Sequence, residues 1–251
     1  MAAPLYAPVS IEAEDIAAGR VEAHYAKTLA RLLAAHALAE KFTAIGYRRA
    51  LETLDDEQLR PVLRQNYAEE CKHARLIYKL LEPLGFTEIT ADRSLIVALK
   101  GAAFAAPRYF AEHAQGPLDL VMASISLDMT GYLMIGINYR ESSYAPHARA
   151  ADAILEEESG HEDFAGACLR DAAAWFGANQ ANAALREWLP RAVNFFGPPG
   201  SGFTFDCIRY GLKQRDNGDL ADLYLTMLER RVLQAGLTMP PLTPTYPHTL
   251  A

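Results

Sequence analysis

Two stretches of the chain could do metal chemistry. Glu69-Glu70-Cys71-Lys72-His73 and Glu157-Glu158-Ser159-Gly160-His161 share the pattern Glu-Glu-x-x-His. In each, a carboxylate and an imidazole stand three residues apart, and on a helix such positions lie on one face. Two such faces meeting in a bundle core can hold a pair of metal ions, with Glu-x-x-His from each of two helices.

The remaining donors follow from distance to the turns. Glu70 lies fifteen residues after Asp55, in the polar turn 53–57, and Glu40 lies fifteen residues before it. Glu158 lies fifteen residues after Ser143, in the turn 142–146, and Asp128 lies fifteen before it. In antiparallel helices joined by a short loop, equal distances from the loop mean equal height, here ~22 Å at ~1.5 Å per residue. Glu40 therefore faces Glu70 and His73, and Asp128 faces Glu158 and His161. The predicted metal ligands are Glu40, Glu70, His73, Asp128, Glu158 and His161. Hard carboxylates with imidazoles suit two iron ions, with manganese as the alternative, and dioxygen as co-substrate. Buried acids need such a counter-charge, and no Lys or Arg lies within a helical turn of Asp128.

Nearby positions have lesser roles. Glu69 and Glu157 point roughly 100° away from the ligand direction at ~3.6 residues per turn, as surface groups or supports of the ligands. His36, one turn before Glu40, reads as a core or supporting histidine rather than a seventh ligand. Thr43 and Tyr132 are the candidate catalytic hydroxyls, Thr43 close to Glu40 and Tyr132 one turn after Asp128. Tyr47, two turns after Glu40, could also approach. Ile125, Met129 and Leu133 are expected to line a substrate cavity.

The elements that must position these groups read as helices throughout, with no convincing period-2 stretch. One long helical run is expected from Ser10 to about Leu54. Others cover about 57–81, 91–114 (interrupted at Pro107), 117–142, 146–176, 180–196 and 203–236, the last broken near Asn217-Gly218. Residues 1–9 read as an extended arm, and the tail from Met239 as irregular. The expected fold is all-α, a ferritin-like four-helix bundle. It forms one domain over 1–251, with a core at about 26–178 and a helical extension at about 180–240.

The 251 residues are 51 % hydrophobic, enough for a sizeable core. A net charge of -7, from 31 acids against 24 bases, argues against nucleic acid or an anionic membrane as partner. Three scattered cysteines suggest a reducing compartment. With no signal peptide and no membrane span expected, the chain reads as cytoplasmic.

The segments Leu189–Pro198, Arg209–Lys213, Asn217–Val232 and Gly236–Pro240 resemble the C-terminal region of the phenylacetic acid catabolic family. Within it they are similar to the oxygenase subunit of phenylacetyl-CoA epoxidase. The resemblance covers roughly 30–242, and the metal motif itself is that of the ferritin-like di-metal carboxylate superfamily. It implies a di-iron monooxygenase inserting one oxygen atom into an organic substrate, of the aromatic acyl-CoA class. An electron-donating reductase and a homo-oligomer or a related partner subunit are also implied. Candidates for the CoA phosphates are Arg209, Lys213, Arg215, Arg230 and Arg231. Two rival readings use the same residues: a ferritin-like iron oxidase, and a structural partner subunit of such an oxygenase.

Overall fold

The computed structural model describes residues 10–95, 104–114 and 116–242, apart from the side chains of Ser159, Glu162 and Asp163. The expected N-terminal arm and the end of the tail lie outside these residues. Among the described residues there are helices and turns, and one isolated β-bridge between Ile11 and Tyr144.

Four long helices carry the site. They are α2 (Ala23–Thr53), α3 (Arg60–Lys79), α6 (Pro117–Leu133) and α7 (Ala145–Phe176). α2 packs along α3, α6 along α7, and α3 against α7, which closes the bundle. The two turns used to set the register are real helix boundaries. Asp56 Oδ1 accepts from the amides of Gln58 (2.9 Å) and Leu59 (3.1 Å), and Pro61 follows in the first turn of α3. Pro146 does the same for α7.

Shorter helices complete the layer. They are α1 (Ala13–Ala17), α4 (Glu88–Ser94), α5 (Ala105–His113), α8 (Ala178–Val193), α9 (Gly202–Arg209) and α10 (Asn217–Gln234). α5 and α8 cover one end of the bundle, where Trp188 meets Tyr109 and Phe110 edge-on. α10 packs on α6, α7 and α8.

Two expectations change. The first helical run does not continue from Ser10 to Leu54: α1 stops and α2 restarts at Ala23, because Gly19 adopts a left-handed φ of 66° that ends a helix. The expected helix over 91–114 ends at Ser94, and helix resumes at Ala105, with 96–103 outside the described residues. One helix bears on the expectation of no membrane span. Residues Pro117–Tyr139 form a helix long and apolar enough to cross one, with a mean hydropathy of 1.6. In the fold, 78 % of that window is buried, so α6 is a helix apolar on all faces at the centre of the bundle.

α6 does not end as an α-helix. Residues Met134–Tyr139 widen into a π-helical turn, a feature that is uncommon and often found beside functional sites. Its Asn138 Oδ1 accepts from the amides of Gln214 (3.1 Å) and Arg215 (2.8 Å), which ties the α9–α10 loop to the bundle.

Candidate metal centre

The six donors meet at one level of the bundle. Glu40 on α2, Glu70 and His73 on α3, Asp128 on α6, and Glu158 and His161 on α7 all converge, and each is at most 8 % exposed. They fall into two overlapping sets: Glu40, Glu70, His73 and Glu158, and Glu70, Asp128 and His161, with the atoms of each set within 4.8 Å of one another. Glu70 belongs to both. Glu158 spans both imidazoles, with Oε1 at 3.6 Å from His73 Nδ1 and Oε2 at 3.9 Å from His161 Nδ1.

The imidazoles are aimed. His73 Nε2 donates to Glu157 Oε2 at 2.9 Å, and His161 Nε2 donates to Glu69 Oε2 at 2.8 Å. Each bond leaves Nδ1 as the lone-pair nitrogen facing the cluster. Neither Nδ1 has a hydrogen-bond partner among the described residues, and nor does Glu70 Oε2. Buried polar atoms are normally paired. Three unpaired buried donor atoms aimed at one point, in a set of carboxylates and imidazoles, fit a pair of divalent metal ions. The outer bonds are the usual carboxylate supports of metal-binding histidines. Glu69 and Glu157 thus act as supports, but across the bundle: each serves the histidine of the other helix.

Electrostatics point the same way. Burial, then the charges of Glu40 and Glu158, hold the Glu70 carboxyl well above the usual range. Burial, then Glu40 and Asp128, does the same to Glu158. Burial lifts Asp128 to about 6 against the pull of His161, Ser124 and Tyr47. Burial alone would raise Glu40 too, but bonds and charges from His36 and His73 outweigh it and hold Glu40 well below the usual range. Without cations, the cluster cannot keep all its carboxylates ionised.

Two further groups tune the donors. Tyr47 Oη donates to Asp128 at 3.2 and 3.4 Å, and burial followed by the Asp128 and Glu70 charges keeps this phenol protonated. His36 Nε2 donates to Glu40 Oε1 at 2.9 Å, and its Nδ1 lies within hydrogen-bond distance of His147 Nε2, at 3.2 Å. Burial and the neighbouring His36 hold His147 well below the usual histidine range, so it stays neutral. His147 carried no sequence signal; it sits in the first turn of α7, off the ligand spacing.

Thr43 and Tyr132 separate. Thr43 lines a small cavity of about 30 Å³ together with Glu40, Glu70, Asp128 and Glu158, and its hydroxyl donates to the Ala39 carbonyl at 3.1 Å. Tyr132 is half-buried and lines neither this cavity nor the larger one beside it. Gly131 is the residue of α6 that faces Glu158, and Tyr132 follows it roughly 100° round the helix. The tyrosine at the cluster is Tyr47.

The larger cavity, about 400 Å³, adjoins the cluster through Ala39, Glu40, Gly131 and Phe195. From α6 and its π turn it is lined by Gly131, Met134 and Ile135. Ile125, Met129 and Leu133 are buried but belong to another stripe of the helix and do not line it. Of the cations considered for CoA phosphates, Arg209, Arg215 and Arg230 are exposed, while Lys213 is buried against this cavity.

The family model described as "Phenylacetic acid catabolic protein" matches residues 21–247, a span that contains every residue of the cluster. The chain belongs to that family. Among solved structures, this family member is similar to "Protein 19 with aldehyde deformylating oxidase activity from Synechococcus". The two are 16 % identical with a TM-score of 0.64, over 90 % of this chain and 95 % of the other. At that identity the likeness is one of fold, a ferritin-like helical bundle. Comparison with curated proteins gives no match.

Proposed function

We propose that this protein is a dioxygen-dependent di-iron oxygenase that inserts one oxygen atom into a small organic substrate. The observation that carries the reading is the pair of unpartnered Nδ1 atoms, on His73 and His161, aimed into the four buried carboxylates. In this reading Glu40, Glu70, His73 and Glu158 would hold one ion, and Glu70, Asp128 and His161 would hold the other. Two iron ions there would supply the redox chemistry that activates dioxygen.

The chain's own residues do the rest. Glu69 and Glu157 orient the imidazoles and raise their basicity. His36 and Tyr47 hold Glu40 and Asp128 by one oxygen edge each. Thr43 places a hydroxyl in the small cavity between the donors, where it can exchange a proton with a bound small molecule. Phe195, Met134 and Ile135 wall the adjoining cavity with apolar surface that excludes water and accepts a hydrocarbon group. That cavity favours an organic substrate over iron oxidation alone. The aldehyde deformylating oxidase activity named for the Synechococcus protein is a related use of the same fold. An acyl group fits the cavity, and an acyl-CoA substrate would keep its nucleotide outside. A reductase and a related subunit complete the proposed system, as the family implies.

The test is metal analysis of protein expressed in iron-rich medium, combined with oxygen uptake in the presence of a chemical reductant. Two ions per chain are expected, with loss of at least one in Asp128→Ala. A wild-type chain that takes up no iron or manganese on reconstitution would sink the proposal in favour of a structural subunit.

A further inference from the structure

The cavity beside the cluster is mostly apolar, yet one of its walls carries a buried cation. Lys213 is 4 % exposed and lines the cavity. It comes from the α9–α10 loop, which Asn138 clamps to the π turn. Its Nζ donates to Asn217 Oδ1 at 2.7 Å. Asn217 is itself pinned, through Nδ2, to Thr204 Oγ1 (2.9 Å) and the Pro198 carbonyl (3.2 Å). Asp216, the adjacent acid, accepts instead from the amides of Gly200 (2.9 Å) and Gly218 (2.8 Å). Among the described residues no carboxylate pairs with Lys213, so the ammonium has one neutral acceptor and spare donors.

A lysine kept for structure alone is normally solvated or given a carboxylate. Here burial pulls the Lys213 pKa down and outweighs the nearby Asp216 charge, the mark of a cation only partly compensated. A second cation stands at the edge of the same cavity: Arg31 is exposed, with its guanidinium 4.1 Å over the Phe203 ring. The opposite boundary is Glu40, part of the acidic cluster. The cavity is therefore polarised, with a cation on one wall, acids on another and aromatic and aliphatic surface between. A buried ammonium that already donates to one neutral acceptor suits a monoanion.

We infer that this cavity binds a small organic acid, with its carboxylate on the Lys213 ammonium and its hydrocarbon part extending past Phe195 and Met134 toward Glu40. With the charged end held at Lys213, the carbon chain is what faces the metal centre. The inference rests on the proposed oxygenase function for the fate of the ligand, but not for its binding. The volume of about 400 Å³ lies within the usual range for small-molecule sites, about 300–1,000 Å³.

The test compares octanoate with octan-1-ol as probes by isothermal titration calorimetry on the full-length protein, as purified and after metal removal. Wild type should prefer octanoate by about tenfold or more in both states, the scale of one charge-assisted hydrogen bond. Lys213→Met should lose that preference and keep its affinity for octan-1-ol, while Lys213→Arg should retain part of it. Equal binding of the two probes by wild type overturns the inference, as does a Lys213→Met protein that still prefers octanoate. The metal-stripped wild type decides the matter even if the Met variant fails to fold, since a preference lost with the metal assigns the carboxylate to the ions instead. Metal content of the same samples is a separate readout. A wild type that takes up no iron or manganese on reconstitution yet still prefers octanoate refutes the oxygenase reading and leaves the acid site standing.

Discussion

Replacing Glu69 by alanine should weaken metal binding at the His161 half of the cluster and leave the His73 half nearly intact. Spacing along the chain suggests the reverse. Glu69 is four residues before His73 on α3, the ordinary helical pairing, yet its Oε2 sits 2.8 Å from His161 Nε2 on α7. A carboxylate behind a metal-binding imidazole is typically worth about 10–100-fold in metal affinity, or about 1.4–2.8 kcal/mol at about 1.4 kcal/mol per tenfold. Glu69 should be near the top of that range, because its other oxygen accepts only a neutral amide hydrogen from Gln65, at 3.0 Å. Glu157 should be near the bottom, because Lys72 shares its charge. The assay is anaerobic cobalt(II) titration against a competing chelator, following each site by its visible absorption. Glu69→Ala combined with His161→Ala should bind no more weakly than His161→Ala alone, whereas its effect should add to that of His73→Ala. Coupling to His73 instead of His161, or a change within about twofold in Glu69→Ala, refutes the crossed arrangement.

Other perturbations test the packing, the electrostatics and the cavity. Gly46 lies against Phe110, whose Cδ1 would be 2.2 Å from an added Cβ, so Gly46→Ala should destabilise by about 1–3 kcal/mol as overpacking does, seen as a lower Tm; an unchanged Tm refutes the contact. Asp128 has a folded-state pKa of about 6 against an ordinary 3.8. In metal-free protein its stabilising protonated form is complete below about pH 4 and is lost as pH rises through about 6, for roughly 3 kcal/mol by pH 7. Metal-free Asp128→Asn should therefore gain on wild type in urea denaturation between pH 4 and pH 7, and parallel curves count against the burial argument. Gly131 lines both cavities, so Gly131→Val should retain two ions but bind octan-1-ol at least about tenfold more weakly, the scale of one well-buried branched side chain obstructing an apolar site; unchanged binding places the substrate elsewhere.

The metal centre was unusually legible because its key coordinate is axial. Glu40 and Asp128 have no motif around them, and their distance from the turns at Asp55 and Ser143 is enough to set their height. Azimuth was less legible. Tyr132 and Tyr47 are both at helical spacing from a ligand, yet only Tyr47 reaches Asp128. Ile125, Met129 and Leu133 were as plausible a cavity wall as Met134 and Ile135 until the π turn chose the stripe. In the sequence Lys213 is one of five candidates for the CoA phosphates, and nothing local records that Asn138, far away in the chain, draws its loop inward.

By itself the sequence determined the helical class, the identity of the donors and the height at which they meet, since these follow from local spacing and a rise per residue that every helix shares. The tertiary structure alone decided which glutamate supports which histidine, which tyrosine reaches the cluster and where the buried lysine lies. Those depend on how far each helix is turned about its own axis when the bundle closes. That rotation is set by side chains packing across helices and has no counterpart in the distance along one chain.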